Sequence, residues 1–228
     1  MIVNKKIFFK GFFMLALFIG VLVLLFMPLI NGQNSMQYLD SLYNSISKGS
    51  AYYIPKVKEE AQILNGRTVS LSLPYDHEDQ AQKTKILFER AGAQAAFEGG
   101  ALTVTGDLGA MMTGCLEDAD AMYYNDGAKV SGKYGYNERR VLYNWAHAIE
   151  LTVHELKGQK KFEEAKILET ALEKGVQASY NYYQVEPQSI RERLGVVIAS
   201  LVFYVIYTLW YGFAIMYLFE GWGMQLEH

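Results

Sequence analysis

The sequence predicts an α+β, mostly helical chain. Two transmembrane helices flank one exported domain, which combines a small β-sheet (strand–helix–hairpin) with a helical bundle. Three observations carry that expectation. Two long apolar runs, 11–30 and 194–219, stand near the two ends of the 228 residues. Hydrophobic residues make up 51% of the chain and nearly all of those runs. Between them, one stretch alternates apolar and polar residues at the strand period, while most of the remainder repeats at the helical period.

Each run is long enough to cross a bilayer, since about 20 residues rising about 1.5 Å each span the hydrocarbon core. Residues 194–219 carry no charge at all. The intervening 31–193 amounts to about 160 residues, near the common size of one domain. The formal charge of the chain is −3, and no basic patch stands out. Nucleic acid is therefore excluded as a partner. The single cysteine, Cys115, rules out an internal disulfide and a cysteine-rich metal site. It lies among Met111, Met112 and Leu116, which suits a small buried apolar group.

Lys5, Lys6 and Lys10 stand before the first run. A secretory signal has an apolar segment of about 7–15 residues followed by small residues at the cut. This run is longer and ends Met27-Pro28-Leu29-Ile30-Asn31-Gly32, with no small pair in place and no lipobox cysteine. It reads as an uncleaved signal anchor. By the positive-inside rule residues 1–10 are expected in the cytoplasm of a bacterium, with 31–193 in the periplasm and 220–228 back in the cytoplasm. Arg191 and Arg193 fall on the exported side, but long translocated domains largely escape the rule. Tails this short are not expected to form an output domain, so activity is expected outside the cytoplasm or within the bilayer.

In chain order, Tyr38, Leu39, Leu42, Tyr43 and Ile46 mark one face of a helix, with Ser35 as its expected N-cap and Gly49 at its end. Pro55 predicts a bend, then a short helix over 56–64 and a turn at Asn65-Gly66. Val69, Leu71 and Leu73 share one face of a strand that Pro74 stops. Asp76 is placed to cap a helix over 77–91, ended by Gly92. Residues 93–98 and 101–105 form a hairpin about Gly99-Gly100, a pair suited to a two-residue primed turn. Helices follow over 109–124, capped by Asp107, and over 138–156, capped by Asn137. Asn125-Asp126-Gly127 is a turn, and 130–135 is polar and glycine-punctuated. A further helix spans 162–183. Beyond Pro187, Ser189 is the expected cap of the helix that enters the second run.

The strand–helix–strand–strand order over about 40 residues is similar to part of a ferredoxin-like or ring-building module of secretion-ring proteins. That resemblance implies subunit-to-subunit packing. The two-span layout resembles that of envelope organisers such as the chain-length regulators of polysaccharide export. Residues 194–219 lack the prolines of their second span.

Four groups of side chains are candidates for chemistry or recognition. His147, Glu150 and His154 form a pattern related to the Glu-x2-His of di-metal bundles. At about 100° per residue from Leu142, the apolar Trp145, Ile149, Val153 and Leu156 fall within roughly 60°, while Glu150, His154 and His147 fall at roughly 80°, 120° and 140°. A solvated flank is the better assignment for this trio. Asp107, Glu117, Asp118, Asp120 and Asp126 are acidic, but Asp118 and Asp120 diverge on a helix rather than forming a calcium loop. Tyrosines, 17 in all, include Tyr123, Tyr124, Tyr134, Tyr136, Tyr180, Tyr182 and Tyr183, read as interface or core-edge residues rather than sugar platforms. Finally, Tyr204, Tyr207, Thr208 and Tyr211 make a polar stripe in the second run, and Gly195 and Ala199 provide close-approach surfaces.

No nucleophile elbow, phosphate loop, dinucleotide fingerprint, zinc-protease motif or haem-attachment motif is present. No cofactor is called for. The expectation is a non-catalytic accessory or assembly subunit of an envelope complex, whose partners are lipid and other membrane subunits or further copies of itself. Two alternatives remain: a periplasmic ligand-binding module coupled laterally to a membrane partner, and a metal-dependent enzyme using His147, Glu150 and His154.

Overall fold

Asn4 opens the first helix. Its side chain accepts from the Ile7 amide at 3.3 Å, so α1 (Lys5–Phe26) starts before the apolar run and takes in Lys5, Lys6 and Lys10. It ends short of Ile30 because Pro28 forces Met27 into extended backbone. The computed structural model describes residues 2–224, so Met1 and residues 225–228 of the expected tails lie outside the described residues. Two units make up the chain: one holds the residues up to Ile46 and from Pro187 onward, and the other is Ser47–Glu186.

After α1, Asn31 and Gly32 both take positive φ, and Ile30 and Gln33 exchange backbone hydrogen bonds around them. The next helix, α2 (Ser35–Lys48), is capped by Asn34 rather than Ser35. Asn34 Oδ1 accepts from the Gln37 amide at 2.8 Å, and Gln37 Oε1 accepts from the Asn34 amide at 3.1 Å. This reciprocal pair satisfies two otherwise orphaned donors, which Ser35 alone cannot do.

Ser47–Glu186 forms its own core. Pro55 sits in the first turn of α3 (Ile54–Ala61), where its missing N–H costs nothing, and a single 3-10 turn follows. Strand β1 (Thr68–Pro74) buries Val69, Leu71 and Leu73 and exposes the residues between. Helix α4 (Glu78–Arg90) follows; His77 holds its N-cap position without a side-chain bond, so Asp76 is not the cap. The hairpin of β2 (Gln94–Glu98) and β3 (Ala101–Asp107) turns through Gly99 and Gly100, at φ of 60° and 81°. The sheet is antiparallel in the order β1–β3–β2, with Leu71 opposite Val104 and Leu73 opposite Leu102. One face is apolar and covered. On the other, Ser70 and Thr105 meet at the surface.

Asp107 caps α5 (Leu108–Tyr123) through the Ala110 amide at 2.9 Å. The stretch expected to be irregular is instead helix α6 (Gly127–Tyr134): Asp126 caps it, and Gly135 at φ 78° ends it. Helix α7 (Glu138–Gly158), capped by Asn137, carries Trp145 into the centre of the core. The long helix expected after it is present over Phe162–Tyr182 and continuous: α8 (Phe162–Ala171) passes through a π turn over Leu172–Gln177 into α9 (Ala178–Tyr182). The π turn seats Gly175 against Leu116, where a Cβ would stand 2.8 Å from a methyl.

The last helix, α10 (Ile190–Gly221), belongs to the first unit and packs antiparallel to α1. The Val3 and Asn4 amides both donate to the Gly221 carbonyl at 3.0 Å, Trp210 Nε1 donates to the Met14 carbonyl at 3.1 Å, and Phe18 stacks on Tyr207. Gly11 and Gly221 allow this approach. A Cβ on Gly11 would stand 2.7 Å from the Leu218 nitrogen, and one on Gly221 would stand 2.5 Å from that of Phe8. Both helices are long and apolar enough to cross a membrane.

Candidate functional site

Helix α7 points its apolar stripe inward, which leaves His147 on a flank. The His147 ring meets the edge of Tyr75 with centroids 5.3 Å apart, and its Nδ1 lies 3.9 Å from Glu150 Oε2. His154 does not join them: among the described residues, no three His, Cys, Asp or Glu side chains converge to hold a metal ion.

Asp118 and Asp120 engage different partners, as two residues on opposite sides of α5 must. Asp118 is only 3% exposed. Its carboxylate accepts from Tyr134 Oη at 2.5 Å, Trp145 Nε1 at 2.9 Å and Lys133 Nζ at 2.8 Å. Three donors from α6 and α7 therefore surround a buried charge that α5 supplies, which is the arrangement a buried carboxylate needs. Burial and the Asp118 charge push the Tyr134 phenol well above its usual range. Cys115, one turn earlier, is fully buried, and burial raises its thiol well above the ordinary value, so it stays protonated and unreactive at neutral pH. Asp120 instead accepts from Tyr52 Oη and Lys58 Nζ, both at 2.7 Å, at the rim of a cleft of about 440 Å³ that also includes Glu117, Tyr124 and Lys129.

A second buried ion escapes sequence reasoning altogether. Lys48 is 4% exposed, and its ammonium donates to Asn125 Oδ1 at 3.1 Å, to the Tyr182 carbonyl at 3.0 Å and to the Val185 carbonyl at 2.6 Å. These three acceptors saturate its three donors. Burial lowers its pKa, and the nearby Glu186 charge partly offsets that. Tyr123 Oη donates to the Lys48 carbonyl. Asn125, at φ 63°, also accepts from the Gln184 amide at 2.7 Å and donates to Glu186 at 3.1 Å. The two ends of the Ser47–Glu186 unit are thus pinned at one node. A lysine beside Gly49 looks like an ordinary helix-end cation. Only the Asn125-Asp126-Gly127 turn signal hinted at this place.

In the polar stripe of α10, Tyr207 stacks on Phe18 at 4.1 Å, and Tyr211 lies 5.1 Å from the same ring. Thr208 Oγ1 donates to the Tyr204 carbonyl of its own helix at 2.8 Å. Tyr204 itself is 68% exposed. Gly195 has open space around it and Ala199 is exposed. The close-approach glycines are Gly11 and Gly221, and the sequence marks them only as small residues near the run ends. Tyr43 Oη meets Ser200 Oγ at 2.6 Å. The chain matches no protein-family model, no curated protein and no solved structure.

Proposed function

We propose that this chain is a non-catalytic accessory or assembly subunit of a bacterial inner-membrane or envelope complex. On this reading α1 and α10 cross the membrane as an antiparallel pair, both tails are cytoplasmic, and the Ser47–Glu186 unit works in the periplasm. The observation that carries the proposal is Tyr204. It sits at the middle of the 32-residue α10 and is 68% exposed. Hydrocarbon offers a phenol no hydrogen-bond partner, and polar groups at that depth usually face another protein helix. The paired helices thus retain an unmet polar contact that a further subunit would fill.

Purification from the native membrane in mild detergent, with the mass of the intact species, tests this. Companion polypeptides, or a closed assembly of this chain, are the expected results. A reproducible bare monomer would sink the proposal. The Asp120 cleft favours a second reading, in which the periplasmic unit captures a small polar ligand and signals laterally. Its signature is a ligand-dependent rise in melting temperature that Asp120→Asn removes.

A further inference from the structure

On the Ser47–Glu186 unit, an open groove of about 280 Å³ runs between the first half of α7 and the π turn with α9. Leu142 and Val176 lie beneath it, each only 1% exposed, and its accessible lining includes Ala146 and the amides Gln177 and Asn181. Tyr143 and Tyr180 flank it and are both exposed. One turn before Tyr143 lie two exposed arginines. The Arg140 guanidinium is 4.9 Å from the Tyr143 ring centre, and that of Arg139 is 5.1 Å from Tyr183 and 6.0 Å from Tyr180.

Neither arginine has a carboxylate partner: among the described residues the only arginine in an ion pair is Arg67, with Glu164. Arg139 donates to the neutral Gln184 at 3.2 Å. Of the acids close by, Glu138 accepts from Tyr183 Oη at 3.0 Å, and Asp79, which also feels the Arg140 charge, pairs with Lys83 at 2.7 Å. Stacking on a ring holds a guanidinium in place while leaving its N–H edge free for a two-point grip on a carboxylate.

We propose that this groove docks an acidic peptide segment of a partner protein. Apolar side chains of the segment lie against Ala146 and the Tyr143 and Tyr180 rings, and its carboxylates meet Arg139 and Arg140. The inference deepens the assembly reading and rests on it. The charge of the site selects an anion, and the exposed Tyr143 and Tyr180 rings beside it select one carried with apolar side chains, as in a peptide. Exposed tyrosine and arginine side by side is the composition of binding hot spots. The π turn that forms one wall is a type of distortion that gathers at functional sites.

A random-peptide display library, panned on the full chain in neutral-lipid nanodiscs, tests the groove. Recovered peptides are expected to carry Asp or Glu beside Leu or Phe, and to bind more weakly as salt rises. The double variant R139E/R140E is expected to weaken them at least about tenfold, and Y143A/Y180A likewise. Arg139 and Arg140 are exposed, so R139E/R140E should leave the melting temperature nearly unchanged, while Y143A/Y180A, whose rings are more than half covered, is compared at a temperature where its own melting curve shows it folded. Recovered peptides without acidic bias, or binding indifferent to R139E/R140E, would overturn the proposal. So would anionic vesicles that bind through the arginines where peptides do not. A chain that purifies with companions but shows either result loses only the groove. A bare monomer removes the assembly reading whatever the library yields.

Discussion

Asp118 brings a buried carboxylate into the Ser47–Glu186 unit. Three donors fill most of its acceptor sites, and Lys133 balances its charge. Asp118→Asn keeps the shape but leaves Lys133 uncompensated, and should cost about 2–3 kcal/mol. Asp118→Leu also strands the Trp145 and Tyr134 donors, and should cost about 3–5 kcal/mol. Thermal melts of the detergent-solubilised chain followed by circular dichroism will rank the two, and equal melting temperatures would contradict the clasp. The buried tyrosines set the behaviour in alkali. Burial raises Tyr75, Tyr123 and Tyr136 from about 10 to about 12, and raises Tyr52 and Tyr134 further. A group whose folded pKa is raised contributes stability that is intact below the unfolded value and lost as pH climbs through the folded one. The melting temperature should therefore hold to about pH 10 and fall between about 10 and 12. Lys48 works the other way, because its lowered pKa makes its burial less costly once it is neutral. A flat profile through that window would mean the phenols ionise freely in the folded chain.

At the scale of elements, local chemistry was the most legible layer. The alternation of β1, the Gly99-Gly100 turn and the caps at Asp107 and Asn137 all follow from neighbours in sequence. Errors arose where two local signals competed. Asn34 with Gln37 outbid Ser35 because the pair satisfies two donors, and glycines at 127, 132 and 135 masked the helix that Asp126 starts. The π turn depends on Gly175 meeting Leu116 across 59 positions, which no window of sequence reports. The same limit hid the packing of α1 on α10. Glycine alone does not reveal which of its neighbours lies close: Gly11 and Gly221 face backbone, whereas Gly195 and Gly212 face open space. Gly11→Val and Gly221→Val should therefore separate the two helices and cost about 1–3 kcal/mol through overpacking. Gly212→Ala should be neutral or slightly stabilising, as alanine is the better helix former by about 1 kcal/mol. Proximity labelling between cysteines placed on the two helices will show the difference. If Gly212→Ala opened the pair and Gly11→Val did not, the packing described for α1 and α10 would be wrong.

For the whole molecule, the sequence made the division between apolar ends and a foldable middle plain, because composition alone reports it. It did not show where the middle closes. Among the described residues, the core cluster runs from Ile54 to Tyr183, within Ser47–Glu186. Its ends are tied just outside that range by Lys48, Asn125 and the Val185 carbonyl. A core that is complete within one unit should fold without the rest. Residues 47–186 expressed alone are thus expected to be soluble and to unfold in one cooperative transition. Trp145 is the only one of the three tryptophans in that segment, so its emission reports the core directly. Lys48→Met in this fragment removes the ammonium but keeps the buried stem, leaving the Tyr182 and Val185 carbonyls short of a donor. It should cost about 2–3 kcal/mol while the Trp145 emission of the folded state stays the same. Asn125→Gly, which retains the positive φ but loses the side chain, should be milder than Asn125→Ala, which loses both, by about 1 kcal/mol. If Lys48→Met left the unfolding midpoint unchanged, the node would be a surface contact rather than the clasp that closes the domain. If 47–186 failed to fold at all, the core would need the apolar helices after all, and the two units would have to be treated as one cooperative structure.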